Sequence, residues 1–188
     1  MQTYQKSEGT HRGVRFEVMH PHGEVKEDSS YYDYRTLYGW CGYIYIDMAL
    51  VPEHIHDEVW PTLAPWGFGS HPDRLRTVTP GLFDDLPFHG GVTFCDRHDC
   101  GHMRYVKVGC DYRHAGDRDE DHSASYVAYD LREVIDAFLE RVPYLQRDIY
   151  TGDLYPESEG AFTEEGRFFA HTSKAKWEAE MEQRRAAK

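Results

Sequence analysis

"HGGVTFCDRHDCGHMRYVKVGCDYRHAGD", residues 89–117, holds four histidines, four aspartates and three of the four cysteines of the chain. Its reading decides the fold. VTFC at 92–95 and MRYVKVGCDY at 103–112 each read as a strand, and Val106, Val108 and Cys110 fall on one face of the second. DRHDCGH, the connection between them, is longer than the tightest turns but still short enough for a hairpin. Antiparallel pairing is therefore the expected local geometry.

Working outward, GVRFEVM at 13–19 alternates Val14, Phe16 and Val18 with Arg15, Glu17 and Met19, the period of a half-buried strand, and HPHG closes it as a turn. WCGYIYID at 40–47 is bulky on both faces, as a central strand is. Leu131, Val134, Ile135, Phe138, Leu139 and Val142 trace one stripe of a helix over 130–142; Asp130-Leu-Arg-Glu133 has the form of a capping box and Pro143 stops the run. Residues 52–91 lose periodicity, with six prolines, five glycines and the rings of Trp60, Trp66, Phe68, Phe83 and Phe88. So aromatic a segment reads as an ordered flap over a groove, not as a disordered insertion. The C-terminal TSKAKWEAEMEQRRAAK has good helix formers around a single apolar pair, Trp177 and Met181. These elements predict an α+β fold: a mainly antiparallel sheet with one packed amphipathic helix, a long aromatic-rich loop and a C-terminal helix. Residues 1–171 are expected to form a single domain, with 172–188 as a helical appendage.

Composition narrows the function classes. A net charge of −12 disfavours direct DNA binding, which depends on clustered cations, and suits a basic partner or simple solubility. The chain contains no run of about 18 apolar residues and starts without an apolar leader, so neither a membrane helix nor a secretory signal is expected. Cys41, Cys95, Cys100 and Cys110 then read as thiols or metal ligands.

Two constellations carry the candidate chemistry. Cys95, His98, Cys100, His102 and Cys110 offer soft donors around the hairpin tip, at gaps more irregular than the paired spacing of a structural zinc site. The second is His89 with Gly90, Asp111, His114 and Asp117, joined by His54, His56 and Asp57 if the flap folds over. Hard carboxylates and imidazoles in one place suit a divalent metal, the one cofactor these donors would take. The same residues also suit a metal-free His–Asp pair, a noncatalytic ligand pocket, or a loop tied down by its own side chains. A hairpin places residues before its first strand beside those after its second, so the functional end is expected at His89, Asp111, His114 and Asp117, not at the tip.

HGGVTF and GCDYRHAGD, with RGVRFEV and WCGYIYI upstream, resemble a family of small phage-encoded proteins that carry a His-Gly-Gly-hydrophobic-Thr-aromatic strand and a Gly-x-Asp-x-x-His-x-Gly-Asp segment. The likeness spans about residues 12–142, and Cys110 stands where that family has an aromatic residue. It implies a phage origin and a shared site; taken with the acidic charge, the aromatic-rich flap and the lack of a leader, it reads as a phage accessory protein, counter-defence in role and acting in the host cytoplasm. Such a protein would bind a host protein or sequester a small, nucleotide-like ligand without chemistry. The alternative reading is a metal-dependent hydrolase using the His/Asp site.

Overall fold

The computed structural model describes residues 3–22, 39–65, 75–112, 117 and 122–186. In chain order, strands β1 (Thr3–His11) and β2 (Val14–His22) form a hairpin, and β3 (Cys41–Asp47) follows. Within 52–91, which reads as an aperiodic flap, the described residues make a one-turn helix α1 (His56–Val59), the short strands β4 (Thr62–Pro65) and β5 (Leu75–Val78), and a second one-turn helix α2 (Gly81–Asp84); Trp66 and Phe68 lie outside the described residues. Next come β6 (Phe94–Asp99), β7 (Arg104–Asp111) and the long helix α3 (Ala124–Arg141). Two small strand pairs, β8 (Leu145–Arg147) with β9 (Leu154–Pro156) and β10 (Gly160–Phe162) with β11 (Phe168–Ala170), lead to helix α4 (His171–Ala186).

The main sheet has the order β1-β2-β3-β7-β6, antiparallel throughout, which makes the fold α+β. β3 is its central strand, as the bulk on both its faces implies. The β6–β7 hairpin is longer and tighter than its sequence suggests, because pairing runs on to Asp99 and Arg104 and leaves Cys100–Met103 as the turn. β1 is an edge strand of polar residues. It is held by the Arg12-Gly13 turn, in which both residues have positive φ (47° and 79°), the conformation that matches hairpin twist. Arg12 is anchored there by Asp136 (2.9 Å) and Glu157 (2.9 Å), which tie the turn to α3 and to the C-terminal segment.

Strand alternation sorts the sheet into two faces. Val14, Phe16, Val18, Ile44, Ile46, Val106 and Val108 turn inward and meet Val127, Leu131, Val134, Ile135 and Phe138 of α3, all of them buried. The apolar stripe is the expected one, but the helix starts earlier: Ser123 is its N-cap, accepting the Tyr126 N–H at 3.2 Å, and Asp130 lies inside the helix. Gly42 lets this helix come close, since a Cβ there would lie 3.1 Å from Val127 and Leu131. Phe83 and Phe88 are core residues as well, and the first stacks on Phe138. On the other face, Glu17 is buried beneath Lys6 (3.3 Å), Arg15 (3.6 Å) and Lys107 (3.8 Å), and it accepts the Tyr45 hydroxyl at 2.7 Å. No helix among the described residues is long and apolar enough to cross a membrane.

The C-terminal strand pairs turn on Asp148. Its carboxylate, 1% exposed, accepts N–H bonds from Ala170 (2.8 Å), Thr151 (2.8 Å) and Tyr150 (3.1 Å), and the Thr151 hydroxyl at 3.0 Å. Burial pushes this group up, but the donors outweigh burial and hold it below the ordinary aspartate value. A lowered folded pKa means that the contribution is present above about pH 4, the unfolded value, and is lost as pH falls through the folded one. Asp148→Ala should cost about 1–3 kcal/mol through the stranded Ala170 N–H alone, and should flatten the acid limb of stability. Urea unfolding between neutral and acidic pH measures both effects. A variant that kept the parent's acid slope would show that Asp148 is not the group responsible.

Candidate metal centre

Three chain segments converge beyond the end of β7. The first is the turn after Phe88, in which Gly91 N–H bonds the Phe88 carbonyl at 2.9 Å and Gly90 and Gly91 hold φ of 64° and 91°. These angles suit glycine and swing His89 out of the turn toward the sheet. The second is Tyr112, pinned by its N–H to the Trp40 carbonyl at 2.8 Å, with Asp117 following in the same connection. The third is His122, one residue before the Ser123 cap of α3.

His89 Nε2 lies 3.0 Å from Asp117 Oδ2, and His122 Nε2 lies 3.8 Å from Asp117 Oδ1. One donor atom from each of the three residues lies within 4.8 Å of the other two, the one such trio of histidine, cysteine or carboxylate donors among the described residues. Tetrahedral zinc, with bonds of about 2.0–2.1 Å, separates its ligands by about 3.3 Å, so small side-chain rotations would seat an ion here. Both nitrogens of His122 are buried without a hydrogen-bond partner, and its side chain is 7% exposed. A buried imidazole in that state costs about 1–3 kcal/mol unless something binds it. His89 and Asp117 are more open, at 25% and 18%, which leaves one side of the trio accessible.

The surroundings orient these groups. The Tyr112 ring stacks on His89 at 4.7 Å and 10°, and meets His122 edge-on at 5.2 Å. Its hydroxyl faces the carboxylate of Asp130, whose pKa burial raises. Tyr126 closes over His122 at 5.3 Å. Outer-layer contacts of this kind fix the tautomer and direction of ligating histidines.

The residues singled out in the sequence are placed as follows. His89 and Asp117 come together, with Gly90 in the supporting turn. Asp111 does not join them: alternation turns it to the opposite face from Tyr112, beside Cys41 and Tyr43. His114 lies outside the described residues. His54 and His56 sit toward the other end of the sheet, where His56 Nε2 bonds the Val51 carbonyl at 2.8 Å; Asp57 follows it in α1. The cysteines of the hairpin do not assemble either. Burial pushes Cys95 up to about 11 and Cys110 up to about 12, so both are thiols packed against apolar neighbours, while Cys100 is exposed in the turn. His122 is the residue the sequence reading omits. Its signal is weak: a histidine just before a Ser cap, downstream of the motif.

No protein-family model, curated protein or solved structure matches the chain.

Proposed function

We propose that His89, Asp117 and His122 bind a divalent metal ion and that the protein is a metal-dependent hydrolase. One observation carries the reading: the buried nitrogens of His122, neither with a hydrogen-bond partner, lie beside a histidine–carboxylate pair at ligand spacing. Two imidazoles and one carboxylate suit zinc and its borderline neighbours, and three protein ligands leave a coordination position open, the pattern of catalytic sites. An ion held in this way supplies a hydroxide nucleophile near neutral pH. The chain's own part is to orient His89 through Tyr112 and to exclude bulk water with Tyr112 and Tyr126.

The host-directed role implied by the resemblance to phage proteins stands beside this proposal as a second one, since a sequestering protein and a hydrolase both need a ligand site. Only the hydrolase needs the ion. Chelator-stripped protein titrated calorimetrically with Zn²⁺ and Mn²⁺ should take up one equivalent. The loaded protein should then hydrolyse chromogenic phosphoesters or carboxylic esters faster than the stripped protein. Failure to bind either ion at micromolar concentration would sink the metal centre. Binding without any metal-dependent turnover would leave the site and remove the hydrolase.

A further inference from the structure

A second candidate site lies at the opposite end of β7, where a cleft of about 700 Å³ opens between the β1–β2 turn, the end of β3, the β6–β7 turn and β8. Three arginines from three strands line it: Arg15, Arg104 and Arg147. Asp47 is the one carboxylate residue among its described lining residues. In a chain of net charge −12 this concentrates cations in one concave place. We propose that the cleft binds a nucleoside phosphate, independently of the metal centre.

The guanidiniums keep donor capacity for a phosphate. Arg15 meets Glu8 at 3.5 Å and Glu17 at 3.6 Å, and Arg104 meets Asp99 at 3.3 Å, all beyond the roughly 2.7–2.9 Å of a strong charge-assisted bond. None of these three acids lines the cleft. Arg147 donates to the Gly152 carbonyl at 2.9 Å, and no carboxylate pairs with it among the described residues. Planar forks converging from separate strands suit the oxygens of a phosphate better than a single point charge would.

The remaining wall is aromatic. Tyr45 and Tyr105 stand 5.7 Å apart, and both are braced: Arg15 lies over Tyr45 at 4.3 Å, and His98 stacks on Tyr105 at 4.5 Å. Rings held in this way offer a base a stacking surface at little further entropic cost. Tyr144, 5% exposed, accepts the Asp47 N–H at 3.1 Å, which leaves its hydroxyl proton to donate, and no acceptor for that proton occurs among the described residues. The cleft falls within the size range of small-molecule sites, about 300–1,000 Å³, so a bare phosphate would leave most of it unfilled. A nucleic-acid strand is disfavoured, because three arginines do not offset the repulsion of an acidic chain for a polyanion.

The test uses the full chain in the presence of a chelator, which silences the metal centre. Adenosine, guanosine and uridine mono-, di- and triphosphates are compared by calorimetry and thermal shift with adenosine and pyrophosphate, all at one ionic strength. At least one nucleotide should saturate at sub-millimolar concentration. Adenosine and pyrophosphate should each bind at least about tenfold more weakly than that nucleotide, a factor worth about 1.4 kcal/mol. Arg104→Ala and Arg147→Ala should each lose about tenfold or more, and His122→Phe should bind unchanged. Arg147 is exposed, so its variant remains informative if replacing Arg104 disturbs the fold. Three results would overturn the proposal: no saturable nucleotide binding at millimolar concentration, pyrophosphate binding as tightly as any nucleotide, or binding that survives both arginine replacements.

Discussion

In chelator-treated protein, His122→Phe should leave the thermal midpoint unchanged or raised, and in metal-loaded protein it should abolish the stabilisation that the ion brings. The two halves have opposite physical origins. In the metal-free chain both ring nitrogens of His122 are buried without hydrogen bonds, so an apolar ring of similar shape removes a desolvation cost and gives up only the long 3.8 Å contact with Asp117. The faces of Tyr112 and Tyr126 at 5.2 and 5.3 Å accept a phenyl ring as readily as an imidazole. In the loaded protein the same change deletes a ligand. An ion at 100 times its dissociation constant stabilises the fold by about 2.7 kcal/mol, and that increment should vanish. Affinity should fall by more than about 100-fold, beyond the 10–100-fold typical of losing an outer-layer partner. Thermal unfolding with and without Zn²⁺ measures both. A variant that kept the ion's increment would remove His122 from the ligand set, and one strongly destabilised without metal would make its role structural.

The same residue marks where the sequence stops being legible. His89 and Asp117 are readable as a pair because a hairpin returns its flanks to one end, and pairing of β6 with β7 alone accounts for that. His122 enters through the docking of α3 on the sheet, a tertiary event with no short-range spacing to announce it. Asp111 shows the converse failure. It sits at the right end of the strand, but a one-residue offset in a period of two decides which face it serves, and the pleat sends it away from His89.

The fold divides in a similar way. β2, β3, β7 and the α3 stripe are visible because each buries one face and repeats apolar residues at its own period. β1 is hidden because TYQKSEGTH at a sheet edge needs no apolar alternation, its strand state being supplied by pairing with β2. The start of α3 is misplaced for a chemical reason. Asp130-x-x-Glu133 imitates a capping box, whereas the actual cap is Ser123, and Asp130 lies inside the helix. The hairpin tip, where the sequence places no functional end, borders the arginine cleft through Gly101 to Arg104.

Phe138→Ala is the core change expected to cost most. The ring is fully buried on the sheet-facing stripe of α3, stacks on Phe83 at 6.4 Å and meets Tyr144 edge-on at 5.9 Å. It therefore joins the wall contributed by α2, the helix itself and the segment that carries the cleft tyrosine. Deleting such a ring removes its transfer free energy and leaves a cavity that three separate elements cannot readily collapse into, a loss of about 3–5 kcal/mol. Against the roughly 5–15 kcal/mol that holds a domain together, this is a large fraction. Urea unfolding should show a lower midpoint at an unchanged slope, because the surface exposed on unfolding is nearly the same. The Phe83–Phe138 pair should also show coupling of about 0.5–1.5 kcal/mol in a double-mutant cycle. A Phe138→Ala cost below about 1 kcal/mol would mean that the ring is not packed as described, because only surface side chains are removed so cheaply. If that variant does not fold, Phe138→Leu, which keeps most of the volume, should fold with a smaller loss. Nucleotide binding by the Leu variant then reads the second consequence of the contact. Tyr144 is held from one side by Phe138 and from the other by the Asp47 N–H, so loosening the ring should weaken the cleft while leaving metal uptake at the far end of β7 untouched.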